Sequence, residues 1–326
     1  MRNFRVIRSI LVALATVLLL AGALSLQAQQ STPAATATVP VRLTVTLSAT
    51  GDGPIPTVNK EDVIVRQGRE RRKVISWEAA RGEHAGLDLF ILIDDVLNPS
   101  LGGQLNTLRD FINAQPATTA VGVGYMSNAG FQIAQNFTTD HAVAARALRL
   151  PRGNVGAMGN PYRSVMALMN GWPQHQNRRV VIMVTDGIVR MRSGSGLNSR
   201  TLTTDPDVNS ASSVAQRTGT IIQSIYFPGV GHFQRNFWEG TNGQNGMSRL
   251  SEDSGGESFF LGLQTPVSFS PWLDSIQRIL ENQAILEFAA VPNRRAGLQN
   301  VDLSTEVPGV ELMSARGVWV PAASGQ

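Results

Sequence analysis

The sequence predicts an α/β fold: a doubly wound, mostly parallel sheet with a small flanking β unit built from segments at both ends of the chain. Two nearly unbroken apolar runs carry much of this reading, "LDLFILIDD" at 87–95 and "RRVVIMVTDG" at 178–187. Strands covered on both faces read in that way. Around them, strands alternate with helices of roughly 10–16 residues, the rhythm of a parallel sheet. At either end the texture changes to short strands with no helices between them.

Residues 1–28 have a basic start (Arg2, Arg5, Arg8), an apolar run from Ile10 to Leu24, and small or polar residues after it. This is the pattern of a signal peptide, cleaved after Ala28 or after Ala23. The apolar run is short for a membrane span, which needs about 20 residues, so no stable transmembrane anchor is expected after cleavage. The expected location is outside the cytoplasm, periplasmic or extracellular. Without those three arginines, 25 basic residues face 24 acidic ones. A near-neutral chain gives no electrostatic case for nucleic acid. The absence of cysteine excludes a lipid-modified cysteine and any disulfide.

Residues 29–40, "QQSTPAATATVP", read as a linker. The N-terminal β segment spans 41–82. In it Val41, Leu43, Val45 and Leu47 alternate with polar or small residues, and "EDVIVRQGRERRKVISWEA" supplies two more strands with a bend at "QGRE". The α/β domain spans 86–283. After its first strand, "SLGGQLNTLRDFINAQ" places Leu101, Leu105, Leu108 and Ile112 on one helical face. "TTAVGVGYMS" is a strand and "GFQIAQNFT" an edge strand. "DHAVAARALRL" is a helix capped by Asp140, and Pro161 opens another in "NPYRSVMALMNGW". Beyond "RRVVIMVTDG", Asp205 and Pro206 open a helix that ends at Gly219, and "TIIQSIYFPG" is a strand. "NGMSRLSEDSGG" reads as a short helix stopped by Gly255, "ESFFLG" as a strand and "SPWLDSIQRILENQ" as the last helix. The C-terminal β segment, 284–322, holds three strands: "AILEFAAVP", "NVDLSTEV" and "GVELMSARGVWVP". The two β segments are expected to pack together.

In open α/β sheets, ligands sit at the carboxyl ends of the strands. Loops 94–100, 126–130, 186–204 and 228–238 share that edge, joined by 152–160. Asp94, Asp95 and Asp186 therefore converge from distant parts of the chain. Converging carboxylates are the usual start of a site for a hard divalent cation.

This order, with "ILIDD" first and "VVIMVTDG" fourth, resembles the von Willebrand factor type A (VWA) domain over about residues 86–283. Its flanks resemble those of the exported VWA-related family described from acidobacteria. They do so through Glu61–Asp62–Val63, Gly68–Arg69, Ile75–Ser76–Trp77 and the closing Arg316–Gly317–Val318. The resemblance implies a metal-ion-dependent adhesion site built on Asp-x-Ser-x-Ser, a Thr and a later Asp. Asp94 takes the first position and Asp186 the last. Val96 and Asn98 stand for the two serines, and Gly159, in "AMGN", for the Thr. The site is thus degenerate. A cation, if one takes part, is Mg²⁺ or another divalent ion held by Asp94, Asn98 and Asp186, with Asp95 and Ser100 as substitutes. A partner's carboxylate would complete the set.

The loops also form a contact surface. Arg190, Arg192 and Arg200 follow Asp186, and Phe233, Phe237 and Trp238 lie on the same expected edge; arginine and aromatic residues dominate binding hot spots. Phe237 and Trp238 read equally well as the buried face of a short helix. His84, His141, His175 and His232 are scattered, without metal-ligand spacing. No nucleophile with an adjacent base can be named, so no enzyme is expected. The expectation is an exported VWA-like module that binds another protein or an envelope component. The alternative is a metal-free scaffold assembled through its β flanks.

Overall fold

The computed structural model describes residues 37–51, 53–153, 159–173, 176–190, 206–230 and 237–323. The expected signal peptide, most of the linker, the Asp205 cap and His175 lie outside these residues.

The central sheet has six strands: β5 (Leu87–Asp94), β6 (Thr119–Ser127), β7 (Gly130–Thr138), β8 (Arg178–Thr185), β9 (Thr220–Tyr226) and β10 (Ser258–Phe259). Their order is β10-β9-β8-β5-β6-β7, parallel throughout except for β7, which runs antiparallel to β6 at the edge. β5 is buried along its whole length, and β8 at every residue but the half-buried Arg179. Alternate residues enter two separate cores. Leu89, Ile91 and Ile93 of β5 join Val180, Ile182 and Val184 of β8 in one core, and Phe90 and Leu92 join Val181 and Met183 in the other.

Helices cover both faces. α1 (Leu105–Asn113), α2 (His141–Arg146) and α6 (Ser270–Glu281) pack on the first core. α3 (Pro161–Asn170), α4 (Pro206–Thr218) and α5 (Phe237–Ser254) pack on the second. The expected Asp140 cap forms, accepting from the Val143 N–H at 3.1 Å, and Pro161 opens its helix as expected, with Asn160 before it accepting from the Arg163 N–H. The expected helix over 100–115 is divided, with a 3₁₀ turn over Pro99–Gln104 leading into α1. α5 starts much earlier than its sequence predicts. Gly240, Gly243 and Gly246 break the local helical signal, yet they let the helix approach closely: a Cβ at Gly243 would strike the Asp186 carbonyl, and one at Gly246 the Tyr162 hydroxyl.

The flanking unit comprises β1 (Val39–Ala49), β2 (Val63–Gln67), β3 (Glu70–Arg72), β4 (Val74–Ala79), β11 (Gln283–Ala290), β12 (Gly297–Thr305), β13 (Val310–Ser314) and β14 (Gly317–Val320). They form two four-stranded antiparallel sheets, β13-β1-β11-β4 and β14-β12-β2-β3. One apolar core serves both: Val41, Leu43, Val45, Leu286 and Phe288 from the first, Val63, Val65, Val301 and Val318 from the second. The N- and C-terminal segments therefore pack together as expected. β1 begins two residues inside the expected linker, and the expected last strand is divided into β13 and β14.

The α/β domain leaves this unit at β4 and returns at β11, and those strands are hydrogen-bonded neighbours. Arg178 ties the junction. Its buried guanidinium donates to the Leu280 carbonyl, the Gln283 side chain and the Ala85 carbonyl, and burial lowers its pKa to about 10. Among the described residues no helix is long and apolar enough to cross a membrane.

Candidate functional site at the carboxyl edge of the sheet

Parallel strands β5 and β8 are neighbours, so their carboxyl ends bring Asp94 and Thr185–Asp186 together. Asp94 Oδ2 accepts from the Thr185 hydroxyl at 2.9 Å, and its Oδ1 accepts from the Val96 N–H at 3.2 Å. Burial and the neighbouring Asp186 push the Asp94 carboxyl up to about 7.

Asp186 is 0 % exposed. The Arg190 guanidinium donates through Nη1 to Asp186 Oδ1 at 3.0 Å and through Nη2 to Oδ2. The Ile188 N–H donates to Oδ1 at 3.1 Å. Both carboxylate oxygens of Asp186 are thus engaged by the chain itself. Arg190 is in turn fixed by its backbone, whose N–H donates to the Gly159 carbonyl at 2.7 Å while its carbonyl accepts from the Gly159 N–H at 3.1 Å. Gly187 adopts φ +70 between these groups, a conformation that favours glycine, and a Cβ there would also strike the Gly243 carbonyl.

Backbone closes over this pair. The Asn98 N–H donates to the Pro228 carbonyl and the Val230 N–H to the Val96 carbonyl, each at 3.0 Å, so loops 96–98 and 228–230 form an antiparallel bridge. Gly229 sits directly against the ion pair. A Cβ there would overlap Asp186 Oδ2 and stand 2.7 Å from Arg190 Nη2.

The remaining expected ligands are turned to other work. Asn98 Oδ1 accepts from the Ser100 N–H at 2.9 Å and caps the 3₁₀ turn, with Pro99 at its first position. Ser100 itself is exposed. Asp95 is gripped by both ends of the Arg149 guanidinium at 2.7 and 2.9 Å, and Arg149 lies over the Tyr125 ring at 3.6 Å. Val96 and Gly159 do come together, since Val96 Cγ1 is the nearest atom to a Cβ built at Gly159, but neither offers a side-chain oxygen. Among the described residues no group of three or more His, Asp or Glu side chains could hold a metal. This donor set does not fit a divalent cation: one carboxylate is already paired with a guanidinium, one is committed to Arg149, and the amide is a cap.

Of the expected contact residues, Arg190 is turned inward to Asp186. Arg192, Arg200 and Phe233 lie outside the described residues. Phe237 and Trp238 are each 69 % exposed in the first turn of α5, with ring centroids 6.1 Å apart. Their exposure does not fit the reading of Phe237 and Trp238 as the buried face of a helix. Glu239, next along the helix, is close enough to Arg190 to act on its charge.

Sequence reasoning missed Arg149, Gly229 and Thr185. Thr185 had a signal, as the residue before Asp186 at the end of a buried strand. Arg149 and Gly229 had none, because each acts through a contact made only by the folded loops.

No protein-family model matches the chain, and no curated protein matches it. Solved structures do. An aerotolerance-related membrane protein from Bacteroides fragilis is 10 % identical over 60 % of this chain and 98 % of its own, with a TM-score of 0.42. The protein BatB from Bacteroides thetaiotaomicron is 13 % identical over 60 % and 97 %, with a TM-score of 0.40. A von Willebrand factor type A protein from Catenulispora acidiphila is 8 % identical over 86 % and 73 %, with a TM-score of 0.42. These are likenesses of fold alone. The fold itself rests on the strand order above: a six-stranded doubly wound sheet with one antiparallel edge strand.

Proposed function

We propose that the chain is an exported, non-enzymatic binding module that engages another protein or a cell-envelope component through the carboxyl edge of its parallel sheet. The observation that carries this reading is the exposed aromatic pair Phe237 and Trp238 beside a buried, internally satisfied centre. Large aromatic rings left in water at a sheet edge are the raw material of a hot spot. The centre is a degenerate adhesion-type site: Asp94 and Asp186 keep its position and shape the loops. Export rests on the leader-like residues 1–28.

The test is capture from an envelope extract by the tagged chain, compared with a Phe237→Ser/Trp238→Ser variant, each with and without EDTA. The expected result is lost capture by the variant with an unchanged melting temperature, because the replaced rings contribute little to the core. Undiminished capture by the variant refutes this use of the edge. It would favour the scaffold reading, for which the shared core of the two flanking sheets speaks.

A further inference from the structure

We propose that Arg190 is a resident cation. Its guanidinium supplies, from within the chain, the positive charge that a divalent ion would bring to Asp94 and Asp186, and it closes this centre both to metal and to an acidic partner side chain. Four observations carry the inference, and none depends on the identity of a partner.

The first is occupancy of the acceptor. Both oxygens of Asp186 receive a guanidinium N–H, in the forked geometry that matches arginine to a carboxylate. The second is placement of the donor. Arg190 lies in an irregular loop, not on a helix, and reciprocal backbone hydrogen bonds with Gly159 fix it there. The third is steric. Gly229 leaves room for the guanidinium where any Cβ would collide with both partners. The fourth is access. The bridge between 96–98 and 228–230 closes over Asp186, which has no exposed surface.

The charges follow the same logic. Asp186 and Arg190 neutralise each other, and Asp94 adds a proton or a negative charge. No uncompensated positive charge remains at the centre to draw in a carboxylate. A partner would therefore meet the exposed rings beside the centre and not the centre itself.

The experiment is a thermal melt of the full chain in millimolar Mg²⁺, in Mn²⁺ and in EDTA. A ligand bound only by the native state raises the melting temperature. The inference expects the three melts to coincide; a rise with either ion that EDTA reverses overturns it. Arg190→Met, which keeps length and removes charge, is expected to melt lower than the wild type and to gain a rise of several degrees in Mn²⁺. Two buried carboxylates are then left without a cation. A folded Arg190→Met that ignores Mn²⁺, or melts with the wild type, overturns the inference. Should that variant not fold, Asp186→Asn/Arg190→Met is expected to restore a folded chain by removing the unpaired acid, and Arg190→Lys to fold and remain indifferent to metal. A double variant that stays unfolded, or an Arg190→Lys chain stabilised by Mn²⁺, refutes the assignment.

Discussion

Gly229→Ala is the sharpest perturbation of the edge. The added methyl would overlap Asp186 Oδ2, stand 2.7 Å from Arg190 Nη2 and 3.4 Å from the Val96 carbonyl. Asp186 cannot retreat, because it is fully buried and held by two loop groups. Loop 228–230 cannot lift freely, because Val230 and Asn98 tie it to its neighbour. Overpacking of a filled interior costs about 1–3 kcal/mol. If the methyl instead displaces the guanidinium, separating a buried ion pair costs about 3–5 kcal/mol. The two routes meet at a loss of about 3 kcal/mol. At about 2–4 °C per kcal/mol for a domain near this size, the melting temperature should fall by roughly 6–12 °C. Urea unfolding measures the loss directly, as a lower midpoint with an unchanged slope. Gly103→Ala is the control: it lies in the exposed part of the 3₁₀ turn with no atom within 4 Å of the new methyl, and should change stability by less than about 0.5 kcal/mol. A Gly229→Ala chain that loses no more than this control would show that the loop does not press on the pair.

Two further outcomes are expected. The Asp94 carboxyl is raised from 3.8 to about 7, so the folded chain holds its proton more tightly than the unfolded one. Its stabilising contribution is therefore fully present below about pH 4 and is lost as pH rises to about 7. Asp94→Asn, neutral at every pH and still able to accept from Thr185, should gain on the wild type in urea midpoint across that window; a constant difference between the two would contradict the shift. Arg149→Ala removes two bonds to Asp95 and the contact over Tyr125. Because the arginine is about a third exposed, solvent screening holds the loss to about 1–2 kcal/mol in urea unfolding. Arg149→Lys should fall between, since it keeps the charge without the fork; equal loss in both variants would assign the effect to geometry alone.

How far the sequence could be read depended on where the deciding contacts lie. β5 and β8 were legible because burial on both faces writes itself as a continuous apolar run. The cap at Asp140 and the helix start at Pro161 were legible because they act within a few residues. α5 was half hidden, since its glycines look like breakers until the Asp186 carbonyl and Tyr162 are placed against them. The last β segment was read as one strand, but Arg316 turns aside to bond the Asp253 carbonyl at the end of α5, and the strand divides there. At the site, strand order was enough to bring Asp94 and Asp186 to one edge. The inward turn of Arg190 was not legible: a loop arginine four residues after an acid looks the same whether it faces water or folds back.

A cation carried on a side chain has properties that a dissolved ion lacks. It is present once per chain whatever the dilution, no chelator removes it, and no competing ion replaces it. An edge organised by Arg190 would keep one state in media of any mineral content. The same tether takes away a switch, because there is no supply to withhold. Control over engagement would then fall to what the exposed rings of Phe237 and Trp238 can reach, and to how much of the partner is there to be reached.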